Sequence, residues 1–153
     1  MADTLQEILL APDRRPAVVK DVENLVDAEV AGKSGVSGLA VKSGYGLIKK
    51  INSTFVSDAV DSMLDNFVAR LEPYYAEHVK AGSGSFADRL TGNSSDVADA
   101  LLGVTDDRAA GSRRDSVKKV YSKLRPQAKK HVEEALPRLG ELIDKHAAAV
   151  NAG

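Results

Sequence analysis

Apolar residues recur at every third or fourth position through most of this chain, and this spacing is the feature that most restricts its fold. Three long stripes of this kind run through residues 18–30, 56–71 and 128–146. A period near 3.6 residues places apolar side chains on one face of an α-helix. The alternating runs and hairpin signals that are typical of strands are missing from the sequence. We therefore predict an all-α protein whose helices bury these stripes against one another.

The stretch from Lys33 to Asn52 is unusual because it combines helical apolar spacing with many Gly and Ser residues. Each glycine inside a helix costs about 1 kcal/mol relative to alanine. A helix that contains several must recover this free energy through close packing. We interpret Gly38, Gly44 and Gly46 as positions where a neighbouring helix approaches the backbone. The predicted fold is then a single irregular helical bundle organised around a central Gly/Ser-rich helix.

The length and composition set the size and the broad class of the protein. The 153 residues suffice for one domain with its own core. We assign residues 1–150 to a single α-helical domain and residues 151–153 to a frayed C-terminus. Aromatic residues make up only 5% of the chain, so the core must consist mainly of Val, Leu, Ile and Ala. Because the chain has no Cys, disulfides, thiolate metal ligands and thiol nucleophiles are excluded.

The expected location follows from the absence of targeting patterns. The first residues lack the basic region and the long apolar region of a secretory signal peptide. No window approaches the length of apolar sequence that a transmembrane helix needs. We therefore expect a cytoplasmic protein.

Capping residues and prolines predict where the helices begin and end. Thr4 opens a capping box, which places a short helix over residues 4–10. Asp13 is the predicted N-cap of the next helix, which should end near Gly32. Proline interrupts a helix because it lacks the amide proton and clashes with the preceding turn. We accordingly predict a break at Pro73 and a new helix at Pro126. The apolar register continues across Pro137, which predicts a kinked helix there rather than two separate ones.

Three strings in the chain resemble a known family. They are LLAPDRRPAVVKDVENLVDAEVAGKSGVSGLAVKSGYGLIKKI, VDSMLDNFVARLEP and VKKVYSKLRPQAKKHVEEALPRLGELI. The chain is similar over nearly its whole length to a family of small, all-helical actinobacterial proteins with no assigned function. The resemblance implies one helical domain in a bacterial cytoplasm, and it supplies no catalytic residue or cofactor.

Charge is distributed unevenly along the chain. Residues 101–130 contain nine basic and three acidic residues, a net charge of +6, whereas residues 53–100 contain three basic and eight acidic residues, a net charge of −5. The basic segment 108–130 either binds phosphates, on nucleic acid or on anionic lipid head groups, or pairs with the acidic segment inside the molecule. The candidate anion-binding residues are Arg113, Arg114, Lys118, Lys119, Lys123 and Arg125.

The residues that usually carry catalysis or metal binding do not form a recognised pattern. His131 and Glu134 are three residues apart, but one such pair is a weak metal signal, and a di-iron bundle needs Glu-x-x-His on each of two helices. His146 lies on an apolar stripe and is interpreted as a buried histidine with satisfied hydrogen bonds. We expect no metal, no cofactor and no enzymatic activity.

Besides an enzyme of an unrecognised class, two classes of function remain open. The first is a non-enzymatic binding or structural module that associates with an unknown protein partner or with itself. The second is ligand binding, either of anions by the basic segment, including weak contact with anionic lipid or nucleic acid, or of an apolar molecule. An apolar carrier would use the small face of the Gly/Ser-rich helix, where a groove beside Leu39, Tyr45 and Leu47 could hold an acyl chain.

Overall fold

The computed structural model describes residues 4–32, 35–82 and 84–152, except for the side chains of residues 35–37, 48, 55, 117, 120, 151 and 152. These residues form seven α-helices and no strand, which confirms the prediction of an all-α bundle. In chain order they are α1 (Leu5–Leu9), α2 (Arg15–Ala31), α3 (Gly35–Ile51), α4 (Phe55–Ala81), α5 (Phe86–Gly92), α6 (Ser94–Ala110) and α7 (Asp115–Ala152). Because Gly153 lies outside the described residues, the fraying of residues 151–153 stays a prediction.

The starts of the first two helices differ in how they are capped. At α1 the Thr4 hydroxyl oxygen accepts the Glu7 amide at 3.2 Å, as the capping box predicts. At α2 the residue before the helix is Arg14, and it makes no side-chain cap. The prediction that Asp13 caps α2 is therefore wrong. The backbone amides of Arg14 and Arg15 donate to the Ala11 carbonyl and form a turn there. The helix therefore begins at Arg15, which makes Arg14 rather than Asp13 the N-cap residue.

Besides Pro16 in the first turn of α2, three prolines lie in helix interiors. α4 runs through Pro73, and α7 runs through both Pro126 and Pro137. The continuity at Pro137 is confirmed, whereas the break predicted at Pro73 and the helix start predicted at Pro126 are wrong. All three prolines are exposed. Water can therefore bond the carbonyls that each proline leaves unpaired, while packing of the inward face keeps the helix continuous.

The packed core surrounds the two short helices, α1 and α5, which contact α4 and α7. Leu5 and Ile8 of α1, and Phe86 and Leu90 of α5, have no solvent exposure. Phe86 meets Tyr75 of α4 edge to face, with ring centroids 5.1 Å apart. Helices of five and seven residues are not stable alone in water. Their stability must therefore come from this packing and from their caps.

Carboxylates from the long helices cap both short ones. Glu72 of α4 accepts the Leu5 amide at 2.6 Å. Asp144 of α7 accepts the Phe86 and Ala87 amides, at 3.1 and 3.2 Å. The amides of a first helical turn have no partner within their own helix, and a negative charge at a helix N-terminus is stabilising. These contacts therefore fix where α1 and α5 dock.

Among the described glycines, Gly140 of α7 marks the closest approach of α7 to α5. A Cβ built at Gly140 would lie 2.7 Å from Ala87 Cβ, 2.8 Å from Ala87 N and closer still to Ala87 Cα. These separations are below van der Waals contact, and the obstruction is backbone, which cannot swing away as a long side chain can. Close packing of two helices at a glycine therefore occurs at Gly140, in a segment of α7 that is not rich in glycine.

The Gly/Ser-rich helix α3 lies at the edge of the bundle, packed on α2 and α4. The prediction of close helix packing at Gly44 and Gly46 is wrong, because both are exposed and a Cβ at either would meet no described atom within 4 Å outside its own helix. Gly38 is buried, and its packing role stays a prediction. The outward face of α3 leaves Leu39, Leu47 and Ile51 exposed by 66, 60 and 78%. Lys33 and Ser34 lie outside the described residues.

Polar contacts account for part of the docking of α3. The Tyr45 hydroxyl donates to the Asp27 carboxylate of α2, and Lys49 Nζ lies 2.9 Å from the same carboxylate. Tyr45 and Lys49 thus face α2, whereas Leu39, Leu47 and Ile51 face outward and α3 lies at the edge of the bundle. The predicted central position of this helix is therefore wrong.

One substitution at two sites tests this assignment. Gly140→Ala should lower the free energy of unfolding by about 1–3 kcal/mol or more, because the new methyl group overlaps the α5 backbone. Gly44→Ala should raise it by about 0.5–1 kcal/mol, because alanine lacks the backbone entropy cost of an exposed helical glycine. Urea titration of both variants measures the difference. Equal effects at the two positions would contradict the close approach at Gly140.

Candidate functional site

An apolar cavity of about 420 Å³ lies between α2, α4, α6 and α7. The walls are formed by α2 residues such as Val22 and Val26, by Leu64 of α4, by Leu101 of α6 and by Leu139 of α7. Val41 is the one residue of α3 among the described lining. The exposed surface of the wall is almost entirely carbon. A partly open space of this size and character is the strongest candidate for a site in the described structure.

The same apolar stripes that the sequence predicts line this cavity. On α2, Val22, Leu25, Val26 and Val30 are only partly buried, although each lines the cavity. Elsewhere in the bundle, the stripes of α4 and α7 close on the side chains of α1 and α5. The stripe of α2 instead faces a space that no described side chain fills. Helical periodicity therefore identifies the lining residues, but it cannot distinguish a filled core from a hollow one.

The cavity lies away from the apolar groove predicted on α3. Leu39 and Leu47 are exposed, and neither they nor Tyr45 line the cavity, whereas Val41 does. Residues 39 and 47 are turned away from residue 41 because each helical residue advances by about 100°. The groove beside Leu39, Tyr45 and Leu47 stays a prediction.

Three polar residues take part in the described wall: Glu29, Thr105 and His131. Glu29 Oε1 lies 3.6 Å from Arg138 Nε. The Thr105 hydroxyl donates to the Leu102 carbonyl at 2.9 Å and lies 2.7 Å from the Tyr121 hydroxyl. His131 differs, because its Nδ1 is buried and has no hydrogen-bond partner among the described residues.

Arg125, one of the six candidate anion-binding residues, pairs inside the molecule. Its Nη1 lies 3.0 Å from Asp99 and its Nη2 lies 2.9 Å from Asp106, both on α6. The Arg125 guanidinium holds the pKa of Asp106 below its usual range, and the Tyr121 hydroxyl, which donates to Asp106 at 2.5 Å, acts in the same direction. At Asp99 the Lys129 ammonium lowers the pKa first and Arg125 second. Arg125 is therefore an interhelical contact that connects α6 and α7.

The other five candidates are all exposed, before α7 and in its first turns. They are Arg113, Arg114, Lys118, Lys119 and Lys123. Lys119 and Lys123 are four residues apart and share an outer face of the helix, away from Arg125. Lys118 is seven residues before Arg125 and lies on the same face, two turns away. The Asp99 and Asp106 carboxylates that bind Arg125 therefore occupy the one guanidinium of the set that packs against α6.

His146 has partners at both ring nitrogens, as expected of a buried histidine on an apolar stripe. Arg14 donates to Nδ1 at 2.7 Å, so the ring proton is on Nε2, which donates to Asp21 at 2.7 Å. Lys145 donates to the same Asp21 oxygen at 2.9 Å. Burial lowers the pKa of His146, which outweighs the opposing effect of Asp21. The Lys145 ammonium is the main cause of the lowered pKa of Asp21.

Among the described residues, no group of three or more His, Cys, Asp or Glu side chains is placed to hold a metal ion. None of the described helices combines the length and the apolar character needed to cross a membrane.

The lowered pKa of His146 predicts how stability depends on pH. Between its folded-state pKa and about 6.5, the unfolded chain binds a proton at this ring that the folded chain does not. The free energy of unfolding should therefore fall as the pH drops from 7 to 5, by up to about 1.4 kcal/mol per pH unit. His146→Gln can keep both hydrogen bonds without titrating, so the variant should lose less stability. Identical slopes for the two proteins in urea titrations at several pH values would disprove this.

The ion pairs of α7 give a matched pair of substitutions. Arg125→Ala should lower the free energy of unfolding by about 1 kcal/mol, mainly through the lost contact with Asp106. Lys123→Ala, on the exposed side of the same helix, should change it by less than about 0.5 kcal/mol. Urea midpoints measure both. A loss at Lys123 as large as that at Arg125 would contradict the internal pairing.

Comparison with known proteins identifies a family for this chain. No curated protein and no solved structure matches it. The model of a family of unknown function, DUF6918, matches residues 5–147. That range begins at the first residue of α1 and includes His146, so it covers the packed core and the cavity together. The chain belongs to the DUF6918 family.

Proposed function

We propose that this protein is a non-enzymatic binding module that holds an apolar small molecule in the cavity between α2, α4, α6 and α7. The observation that carries the proposal is a space of about 420 Å³ with an almost entirely carbon wall. Ligand sites in proteins usually measure about 300–1,000 Å³ and are mostly apolar. This proposal corresponds to the apolar-ligand carrier, one of the alternatives that the sequence leaves open.

The exposure of the apolar wall supports an occupant. Most of the side chains that α2 contributes to the wall are only partly buried, so an unoccupied site leaves carbon in contact with water. Apolar surface in contact with water is unfavourable. A ligand with an apolar body would restore the missing van der Waals contacts. The protein should accordingly be more stable with its ligand than without it.

Anion binding remains a second candidate because Arg113, Arg114, Lys118, Lys119 and Lys123 are exposed. It is the weaker candidate, since Arg125 is held by Asp99 and Asp106. An unknown protein partner or self-association would be compatible with the exposed apolar residues of α3. We propose an actinobacterial origin from the resemblance of the sequence, and a cytoplasmic location from that resemblance and from the sequence patterns of the first residues. Native mass spectrometry followed by solvent extraction would separate a bound apolar compound from a bound nucleotide or protein.

A cavity-filling substitution tests the proposed function. Ala135 lines the cavity, whereas Ala76 is exposed on α4. Ala135→Phe should weaken binding of the neutral fluorescent probe N-phenyl-1-naphthylamine by about 10-fold or more, because the new ring occupies the space. The control variant Ala76→Phe should bind like the unchanged protein. Fluorescence titration gives the dissociation constants, and urea titration confirms that each variant is folded.

Two results would overturn the proposal. One is the absence of probe binding to the unchanged protein. The other is equal affinity of the Ala135→Phe and Ala76→Phe variants, which would place the probe outside the cavity.

A further inference from the structure

We infer that the outward face of α3 docks on a membrane surface that contains anionic lipid. The inference goes beyond the proposed function and does not depend on it. It rests on three observations about α3: large apolar side chains that are exposed on one side, exposed charge of a single sign, and a position at the edge of the bundle.

The exposed apolar side chains of α3 lie on one side of the helix. Leu39, Leu47 and Ile51 are spaced by eight and then by four residues, so they fall within an arc of about 120° on the helix surface. Of the five large apolar side chains that are exposed in the described structure, these three belong to α3. Such a concentration on one helix face indicates an interaction surface.

The charge that α3 exposes is positive. The helix contains no Asp or Glu. Lys42 and Lys50 are exposed, whereas Lys49 is half-buried and its Nζ lies 2.9 Å from the Asp27 carboxylate of α2. By helical spacing Lys50 lies within the apolar arc and Lys42 lies beside it. Large apolar side chains together with lysines complement a bilayer interface, where acyl chains lie next to negatively charged head groups.

A second copy of the chain fits this face less well than lipid does. Two such faces in contact would bring Lys42 and Lys50 of each copy together, and α3 has no carboxylate to neutralise them. Burying a charge that has no partner is costly. In a bilayer interface, lipid phosphates supply the negative charge, and a lysine can bury its carbon chain while its ammonium reaches the head groups.

The composition of the face also favours lipid over a folded protein partner. The cores of protein interfaces are depleted of Lys, and Trp, Tyr and Arg usually carry most of the binding free energy. α3 contains no Trp or Arg, and the hydroxyl of Tyr45 is turned towards Asp27. Ser43, Gly44 and Gly46 are exposed and small, so they offer a partner neither a protruding side chain nor a pocket. A fluid bilayer does not require a complementary shape from the helix.

Co-sedimentation with vesicles tests the inference. Vesicles of equal parts phosphatidylcholine and phosphatidylglycerol are compared with vesicles of phosphatidylcholine alone, at low salt and at about 0.15 M salt. The double variant Leu39→Gln/Leu47→Gln removes apolar surface without adding charge. The matched control is Leu124→Gln, because Leu124 is an exposed leucine of α7 that lies within the basic segment 108–130. Urea titration verifies that each variant is folded.

We expect the unchanged protein to bind the anionic vesicles more tightly than the neutral ones, and less tightly as the salt concentration rises. Leu39→Gln/Leu47→Gln should weaken binding to anionic vesicles by about 10-fold or more, because two leucine side chains no longer enter the lipid. Lys42→Gln/Lys50→Gln should weaken it by about 10-fold at low salt and leave binding to neutral vesicles unchanged. Leu124→Gln should bind like the unchanged protein.

The absence of Cys from the chain allows a fluorescent label at a single position. Ser43→Cys places an environment-sensitive fluorophore between Leu39 and Leu47, and Ala76→Cys places the same fluorophore on the exposed side of α4 as a control. With anionic vesicles, the emission from position 43 should shift to shorter wavelength, while the emission from position 76 should stay the same. This measurement decides the question even if a glutamine variant does not fold.

Three results would overturn the inference. One is the absence of binding to anionic vesicles at low salt. Another is binding that leaves the emission from position 43 unchanged, or that Leu124→Gln weakens as much as Leu39→Gln/Leu47→Gln does, which would place the contact on α7. The third is a dimer in light scattering that Leu39→Gln/Leu47→Gln dissociates, which would show that a second copy covers this face. None of these results bears on whether the cavity binds the fluorescent probe.

Discussion

The close approach of α5 to α7 at Gly140 is the contact on which most of the packed core depends. With no side chain at Gly140, the backbone of Ala87 comes within a distance that any Cβ would prevent. This proximity lets Asp144 accept the first two amides of α5. It also brings Phe86 into edge-to-face contact with Tyr75. The seven-residue helix α5 would not be stable in isolation. Backbone contact, hydrogen bonds and aromatic packing together hold it in place.

The same two helices, α4 and α7, contribute to both the packed core and the wall of the cavity. The long helices α4 and α7 present apolar residues over most of their length. Leu136 and Ile143 of α7 are buried in the packed core and also form part of the cavity wall. Where α2 lies opposite α4 and α7, the side chains of Val22 and Val26 leave about 420 Å³ between the walls. Because the core and the cavity share side chains, a ligand that binds only the folded chain would raise the stability of the whole.

The sequence reveals local features of this fold and misses those that depend on neighbours. Helical periodicity and the Thr4 cap are local, and both predictions hold. The effect of a proline depends on which face it occupies, so exposed Pro73 and Pro126 do not interrupt their helices. Gly44 sits in a conspicuous Gly-rich stretch yet faces open space, whereas Gly140 has no such signature and contacts a backbone. A close approach is a property of two segments, and one segment alone cannot indicate it.

The surroundings of His146 show why the partners of a buried histidine are hard to recognise from sequence. Its place on the apolar stripe of α7 predicts that the ring is buried, and it is. Arg14 and Asp21, which bond its two ring nitrogens, come from the turn before α2 and from α2 itself, and nothing in the sequence near His146 indicates them. Burial can thus be predicted from one helix, whereas the hydrogen bonds that satisfy a buried polar group depend on which helix packs against it.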